Sequence, residues 1–412
     1  MVAKKRGLWL VGARGGVAAT VAVGLAELAR AGSEAATVGL VTESPLLAGP
    51  DFPSWNQEAP WSSWVLGGHE VRAGTLLEAA RELERQNGAL PVGLADRHAT
   101  TLDAIDRRIR PGVRFRSGTA IDALTPGSPT SSATPRALVE QIKADLIAFR
   151  ESNQLDQVVV AILSSTEPPT PADTLPTTWD QLNPLLDRAE SCPLRASSLY
   201  ALAAIESGMP LINFTPSLGA SCAALEERAV ACGTPLAGRD GKTGETLLKS
   251  VLAPMFAKRA LRVESWVGHN LLGNRDGAVL ADPDNKRSKI DSKDALLARL
   301  LGYAPQSLVS IEPIASLGDW KTAWDHVHFR GFLGVPMTLQ FTWQGCDSAL
   351  AAPLVLDLAR LITLAEERGE AGPINALAAF FKSPQGAVSD DFGVQFERLR
   401  AWVSGLERSS VP

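Results

Sequence analysis

Apolar residues follow two different rhythms along this chain of 412 residues. In the first half they gather in short unbroken runs, at residues 7–11, 158–163 and 211–214, each of strand length. Such runs suit strands covered on both faces, as in a parallel sheet. Residues 337–343 alternate apolar and polar side chains instead, the pattern of an antiparallel sheet with one covered face. Helical spacing predicts helices over residues 18–30, 76–86, 137–150, 197–207 and 246–260, and near the C-terminus over 353–366 and 374–381. Further strands are predicted at 37–42, 261–270 and 306–311, with a short helix at 293–301. Alternating strands and helices make the first half a doubly wound α/β unit, and the change of rhythm marks a second domain. Residues 49–66, with Trp55, Trp61 and Trp64, have no period and read as a long loop packed on the body. Five prolines within 166–184 make that stretch an irregular excursion.

Between the first apolar run and its helix lies the tight turn Gly12-Ala13-Arg14-Gly15-Gly16. Strand, glycine-rich turn, helix, strand is how a Rossmann-like dinucleotide-binding unit begins, with a pyrophosphate at the helix N-terminus. The fingerprint is imperfect: Arg14 stands in place of the second glycine and Ala18 near the third, so an ordinary strand-to-helix turn fits as well. Glu43, just after residues 37–42, is the acid that such a unit sets against a ribose, although a surface carboxylate there is commonplace. Ser164-Ser165-Thr166-Glu167 and Thr215-Pro216-Ser217 follow two of the buried runs, where an α/β sheet collects its ligand contacts.

Composition narrows the classes of function. With 45% apolar and 21% charged residues the chain is globular, and its net charge of −5 leaves no electrostatic footprint for nucleic acid or a membrane surface. Any anionic substrate must therefore be held by a local cluster. Cys192, Cys222, Cys232 and Cys346 show no CxxC spacing, which predicts reduced buried thiols and a cytoplasmic protein. Lys4-Lys5-Arg6 before a small apolar stretch resembles a signal peptide, but Arg14 and the glycines break it. A transmembrane helix is not expected.

Polar side chains concentrate in short bursts between Gly238 and Lys321. The first, Gly238-Arg239-Asp240-Gly241-Lys242-Thr243-Gly244-Glu245-Thr246, runs straight into a helix, and backbone N–H groups at such a junction suit a phosphate. It is not a P-loop, which requires glycine where Leu236 stands. Asn270-Leu271-Leu272-Gly273-Asn274-Arg275-Asp276-Gly277, Lys286-Arg287-Ser288-Lys289-Ile290-Asp291-Ser292-Lys293 and Gly318-Asp319-Trp320-Lys321 follow. On a helix, Lys289 and Lys293 share a face. Lysines crowded in a partly buried site repel one another and lose solvation, which lowers their pKa and suits general-base work, with Asp276, Asp319 and Asp347 to orient them. Asp325-His326-Val327-His328 also admits a metal reading, and Cys346 beside His326 a thiol nucleophile, each against a packing role.

Taken in order, these bursts together with Cys346-Asp347-Ser348 resemble the myo-inositol-1-phosphate synthases, from about residue 158 to 386. The resemblance implies an NAD-dependent isomerase that converts D-glucose 6-phosphate to 1D-myo-inositol 3-phosphate without net redox. Its steps would be oxidation at C5, enolisation at C6, aldol closure onto C1 and re-reduction. Lys289, Lys293, Lys321 and Lys382 fall on the family's active-site lysines, with Asp240, Asp276, Asp319 and Asp347 in the same catalytic set. Lys289 and Lys321 are assigned proton transfer at the C5 oxygen, Lys293 and Lys382 oxyanion and phosphate stabilisation. Thr243, Gly244, Thr246, Asn270 and Asn274 match substrate-binding positions, and Gly12, Gly15, Thr20, Glu70 and Thr166 the cofactor side, where Arg14, Gly16 and Ser165 are further cofactor-binding candidates.

The same resemblance implies a Rossmann-like domain over residues 1–245 and 347–412, interrupted at 246–346 by an α+β catalytic and tetramerisation domain. A homotetramer follows by analogy. The departures lie at the cofactor end: Arg14 either supplies a cation in place of a metal ion or favours NADP over NAD, and a monovalent or divalent cation stays open. A related carbocyclase or epimerase, or a dehydrogenase acting on another sugar phosphate, is the alternative, and an NAD-responsive binding protein is disfavoured by the lysines.

Overall fold

A computed structural model describes residues 4–30, 34–85, 88–123, 133–273, 296–386 and 388–406. Its larger sheet has seven strands: β1 (Arg6–Val11), β2 (Trp64–Glu70), β3 (Ile109–Pro111), β4 (Gln157–Ile162), β5 (Leu211–Asn213), β6 (Pro235–Gly238) and β11 (Gly372–Pro373). They lie in the order β11-β6-β5-β4-β1-β2-β3, with every pairing parallel. The chain moves outward from β1 on one side and then crosses to β4 on the other. A crevice therefore opens at the carboxyl ends of β1 and β4, where the direction of winding reverses.

Helices cover both faces. On one side lie α1 (Gly16–Leu28), α2 (Leu76–Arg85) and the long C-terminal helix Asp347–Glu367; on the other lie Pro135–Ser152 and Ala196–Glu206. Asp347–Glu367 is long and apolar enough to cross a bilayer, yet 72% of its most apolar stretch is buried, as in a core helix.

The smaller sheet is mixed, in the order β10-β9-β7-β8, from β7 (Arg262–Leu272), β8 (Gln306–Pro313), β9 (Trp320–Arg330) and β10 (Pro336–Cys346). Only β7 and β8 run parallel. The helix Glu245–Lys258 buries Ala253 and Phe256 against one face, where Val263, Trp266 and Val327 form a second core.

The predicted second strand is corrected. Residues 37–42 form no strand; Val41–Glu43 is a 3₁₀ turn whose Val41 and Thr42 N–H groups donate to Asp357 at 2.7 and 2.9 Å. The true neighbour of β1 is Trp64–Glu70, inside what reads as loop and turn. Gly67 and Gly68 disguise it, and packing explains them: a Cβ on Gly68 would lie 2.2 Å from the Leu10 carbonyl oxygen, and one on Gly67 2.7 Å from the Phe149 ring. Glu43 is likewise no ribose acid. It pairs with the buried Arg360 at 2.6 Å and accepts from the Trp61 indole. Trp55, Trp61 and Trp64 are all buried against the body.

Candidate active site

A cavity of about 620 Å³ opens at the crevice and continues to the smaller sheet. The glycine turn forms one wall. Gly12 has φ +87° and, with Ala13, donates its N–H to the His69 carbonyl at the end of β2. A Cβ there would sit 2.9 Å from the Ser164 backbone beyond β4, and one on Gly16 2.7 Å from the Ser348 hydroxyl. Gly15 is the N-cap of α1, so the positive end of that helix meets the cavity without a side chain in the way. These bare positions fit the pyrophosphate of a dinucleotide. Ser165 and Thr166 line the same space, as do Glu167, Ser197 and Thr215.

Glu70 ends β2 at this wall. Its carboxylate accepts the N–H groups of Arg14, Val71 and Arg72 and the Arg72 guanidinium. Burial pushes the carboxyl up, but Arg72 and these hydrogen bonds outweigh it and hold it below the usual range. Arg14 turns away: its guanidinium grips Asp106 at 2.8 and 3.1 Å.

The opposite wall is the loop between β6 and the helix Glu245–Lys258. Asp240 and Gly241 donate their N–H groups to Thr215 and Phe214, Lys242 to Phe380, and Lys382 returns one to Asp240. So clamped, Asp240 pairs with the Lys382 ammonium at 2.9 Å inside the cavity. Thr243 lines it too. Gly244, φ +63°, caps the helix, and a Cβ on it would lie 3.8 Å from the Lys321 Nζ. Lys321 itself comes from the start of β9 and faces the cavity.

A family model described as myo-inositol-1-phosphate synthase matches residues 244–348. Inositol-3-phosphate synthase 1 of Bacteroides thetaiotaomicron is 35% identical over 263 residues, 61% of this chain and 61% of that one. The Oryza sativa enzyme of the same name is 33% identical over 56% of this chain and 47% of its own length. Over these stretches the chain is similar to the myo-inositol-1-phosphate synthases. It spans about half to three fifths of the length of these family members. The inositol-3-phosphate synthase structure from Caenorhabditis elegans has the same fold, with a TM-score of 0.82 at 24% identity over 100% of this chain and 87% of that one. A myo-inositol-1-phosphate synthase-related protein from Thermotoga maritima does too, with a TM-score of 0.75 at 22% identity, over 96% of this chain and 98% of that one.

Of the residues assigned from the family resemblance, Gly12, Arg14, Gly15, Gly16, Glu70, Ser165, Thr166, Asp240, Thr243, Asp319, Lys321, Asp347 and Lys382 share this one cavity. Lys289, Lys293, Asn274 and Asp276 lie outside the described residues. Thr20, Thr246 and Asn270 do not line the cavity: the Thr20 hydroxyl donates to the Gly16 carbonyl within α1, Thr246 is buried in its helix, and the buried Asn270 amide reaches the Ser310 carbonyl at 3.4 Å. Asp319 does line it, but its oxygens accept from the Cys346 thiol and from the N–H and hydroxyl of Ser348, tying β9 to the start of Asp347–Glu367.

The thiol reading fails on this geometry. Burial and the adjacent Asp319 push Cys346 up to about 12, so it stays protonated. Its strand partner is Trp320, whereas His326 pairs with Gln340 much farther along the sheet. Among the described residues no group of three His, Cys, Asp or Glu is placed to hold a metal ion. Lys242 also leaves the site, donating to Gln395 at 2.5 Å in a buried pocket. Glu167 ends the polar stretch that follows β4. It caps Ala196–Glu206 by accepting from the Ser197 N–H and hydroxyl, and desolvation raises its pKa.

Proposed function

We propose that this chain converts D-glucose 6-phosphate to 1D-myo-inositol 3-phosphate as a dinucleotide-dependent isomerase. The observation that carries this reading is the single cavity joining a glycine turn at the sheet's switch point to Lys321, the Asp240–Lys382 pair and a helix N-terminus. A nicotinamide dinucleotide, NAD in the simplest case, supplies when bound a hydride acceptor that later returns the hydride. The Gly16 N–H at the start of α1 would face its pyrophosphate, Gly12 and Gly15 leaving room for it by having no side chain, and Ser165 and Thr166 would border it.

The sugar phosphate lies against the N-terminus of Glu245–Lys258, with Thr243 and Gly244 beneath it, where the helix dipole favours an anion. Lys321, close to Gly244, moves a proton at the C5 oxygen; Lys289, assigned from the resemblance, shares that task. Lys382 steadies developing oxyanion charge, and its pairing with Asp240 fixes where that charge sits. Lys293 and Asp347 complete the set by resemblance. Enolisation at C6 then needs only an acidified C–H and a base within reach, and closure onto C1 follows in the same cavity.

The chain is also proposed to act as a homotetramer. Supporting this, the smaller sheet turns Leu308 and a stacked His269–Trp324 pair outward, and the β9–β10 hairpin tip holds Phe332 and Leu333, 88% and 83% exposed. Apolar residues so placed mark an association surface. Light scattering on the purified protein reads the assembly directly.

Incubation with glucose 6-phosphate and NAD or NADP, followed by phosphorus NMR and by absorbance of reduced dinucleotide, tests the activity. An inositol phosphate product without accumulated reduced dinucleotide, lost in Lys321→Ala, is expected. Stoichiometric reduced dinucleotide would instead make the protein a dehydrogenase, and a different cyclic or epimeric product a related carbocyclase or epimerase.

A further inference from the structure

The wall that would meet the adenosine ribose carries Glu70 and Glu82 together with Arg72, Arg85 and Arg114. A carboxylate at the end of the second strand reads a free 2′-hydroxyl by accepting its proton, whereas a nearby arginine accommodates a 2′-phosphate. Glu70 occupies that place, but Arg14, Val71 and Arg72 already give it five hydrogen bonds, against about four lone-pair sites on a carboxylate. It serves to brace the glycine turn against β2.

Three guanidinium groups besides that of Arg14 line the same cavity. Arg72 follows Glu70 by two residues, and its bonds to that carboxylate are long, 3.2 and 3.4 Å. Arg85 closes α2 on the cavity wall, one turn beyond Glu82. Arg114 follows β3, whose Pro111 lies opposite Glu70 in the sheet, and it too lines the cavity. Arg14 is committed to Asp106, which also accepts from the Leu76 N–H and so clasps the turn to α2.

Resting on the reading of this cavity as a dinucleotide site, we propose that its ribose end selects the 2′-phosphorylated cofactor, with Arg72 and Arg85 as the phosphate ligands. Phosphate oxygens would accept charge-assisted bonds from the Arg85 guanidinium and from Arg72, which keeps its long bonds to Glu70.

Calorimetric titration of the intact protein with adenosine 2′,5′-bisphosphate and with AMP, and with NADP and NAD, separates the possibilities without relying on turnover. The bisphosphate is expected to bind at least about tenfold more tightly than AMP, and NADP more tightly than NAD. Arg85→Ala should bring that ratio toward one; it is exposed, so it tests the idea even if Arg72→Ala, which strips Glu70 of its counter-charge, fails to fold. AMP binding equal to or tighter than the bisphosphate overturns the proposal and leaves the dinucleotide site standing. No binding of any of the four to folded protein overturns both.

Discussion

Gly12→Ala is the sharpest test of how the cofactor turn is built. Gly12 sits at φ +87°, in the left-handed region, where any L-residue costs about 1–2 kcal/mol. Its new Cβ would also press on Ser164 at 2.9 and 3.0 Å and on the Leu163 carbonyl carbon at 3.3 Å, all backbone atoms that no rotamer change can move. Overpacking of this kind adds about 1–3 kcal/mol. Gly208 offers the control: φ is +64°, and a Cβ there meets nothing within 4 Å. Gly208→Ala should therefore lose only the conformational part, while Gly12→Ala loses both. Equilibrium urea unfolding of the two variants measures the difference, and dinucleotide titration should show weaker binding for Gly12→Ala alone. Equal destabilisation of the two variants would refute the close approach of the turn to the end of β4, and with it the account of why the turn is glycine.

Other perturbations probe the remaining links. Asp240→Asn removes the counter-charge of Lys382 and should lower turnover by about 10²-fold with little change in melting temperature, because the pair is only part-buried; unchanged turnover would count against its role. Burial lowers Lys242 to about 8, below the ordinary value of about 10.4. The unfolded chain then binds more protons between those values, so stability should rise with pH across that window. Lys242→Met should flatten the rise, and an unaltered pH profile of chemical unfolding would contradict it. Arg360→Met strands Glu43 and removes the cation 3.4 Å from the Trp61 ring centre, at a cost of about 3–5 kcal/mol. A loss below about 1 kcal/mol would show that this network does not hold residues 41–63 to the body.

The sequence by itself determined the class of fold and the outline of the site. Unbroken apolar runs can be buried only between two helical layers, so β1, β4 and β5 were legible, as was the alternation of β10. The polar bursts were legible because charged and amide side chains so densely spaced need partners or solvent. Tertiary structure decided what depends on distant neighbours. Trp64–Glu70 is a strand because it pairs with β1, and there Phe149 and the Leu10 carbonyl leave room only for Gly67 and Gly68, which locally mimic a turn. Residues 37–42 look strand-like, yet Asp357, more than three hundred positions away, takes the N–H groups of Val41 and Thr42. The same holds for the site. Spacing could place Asp319 and Lys321 together, but only the packed fold commits Asp319 to Cys346 and Ser348 while leaving Lys321 at the cavity wall, and only it fills the lone pairs of Glu70. Periodicity is a local property of the chain, whereas hydrogen-bond partnership across the core is set by which surfaces the burial of apolar area brings together.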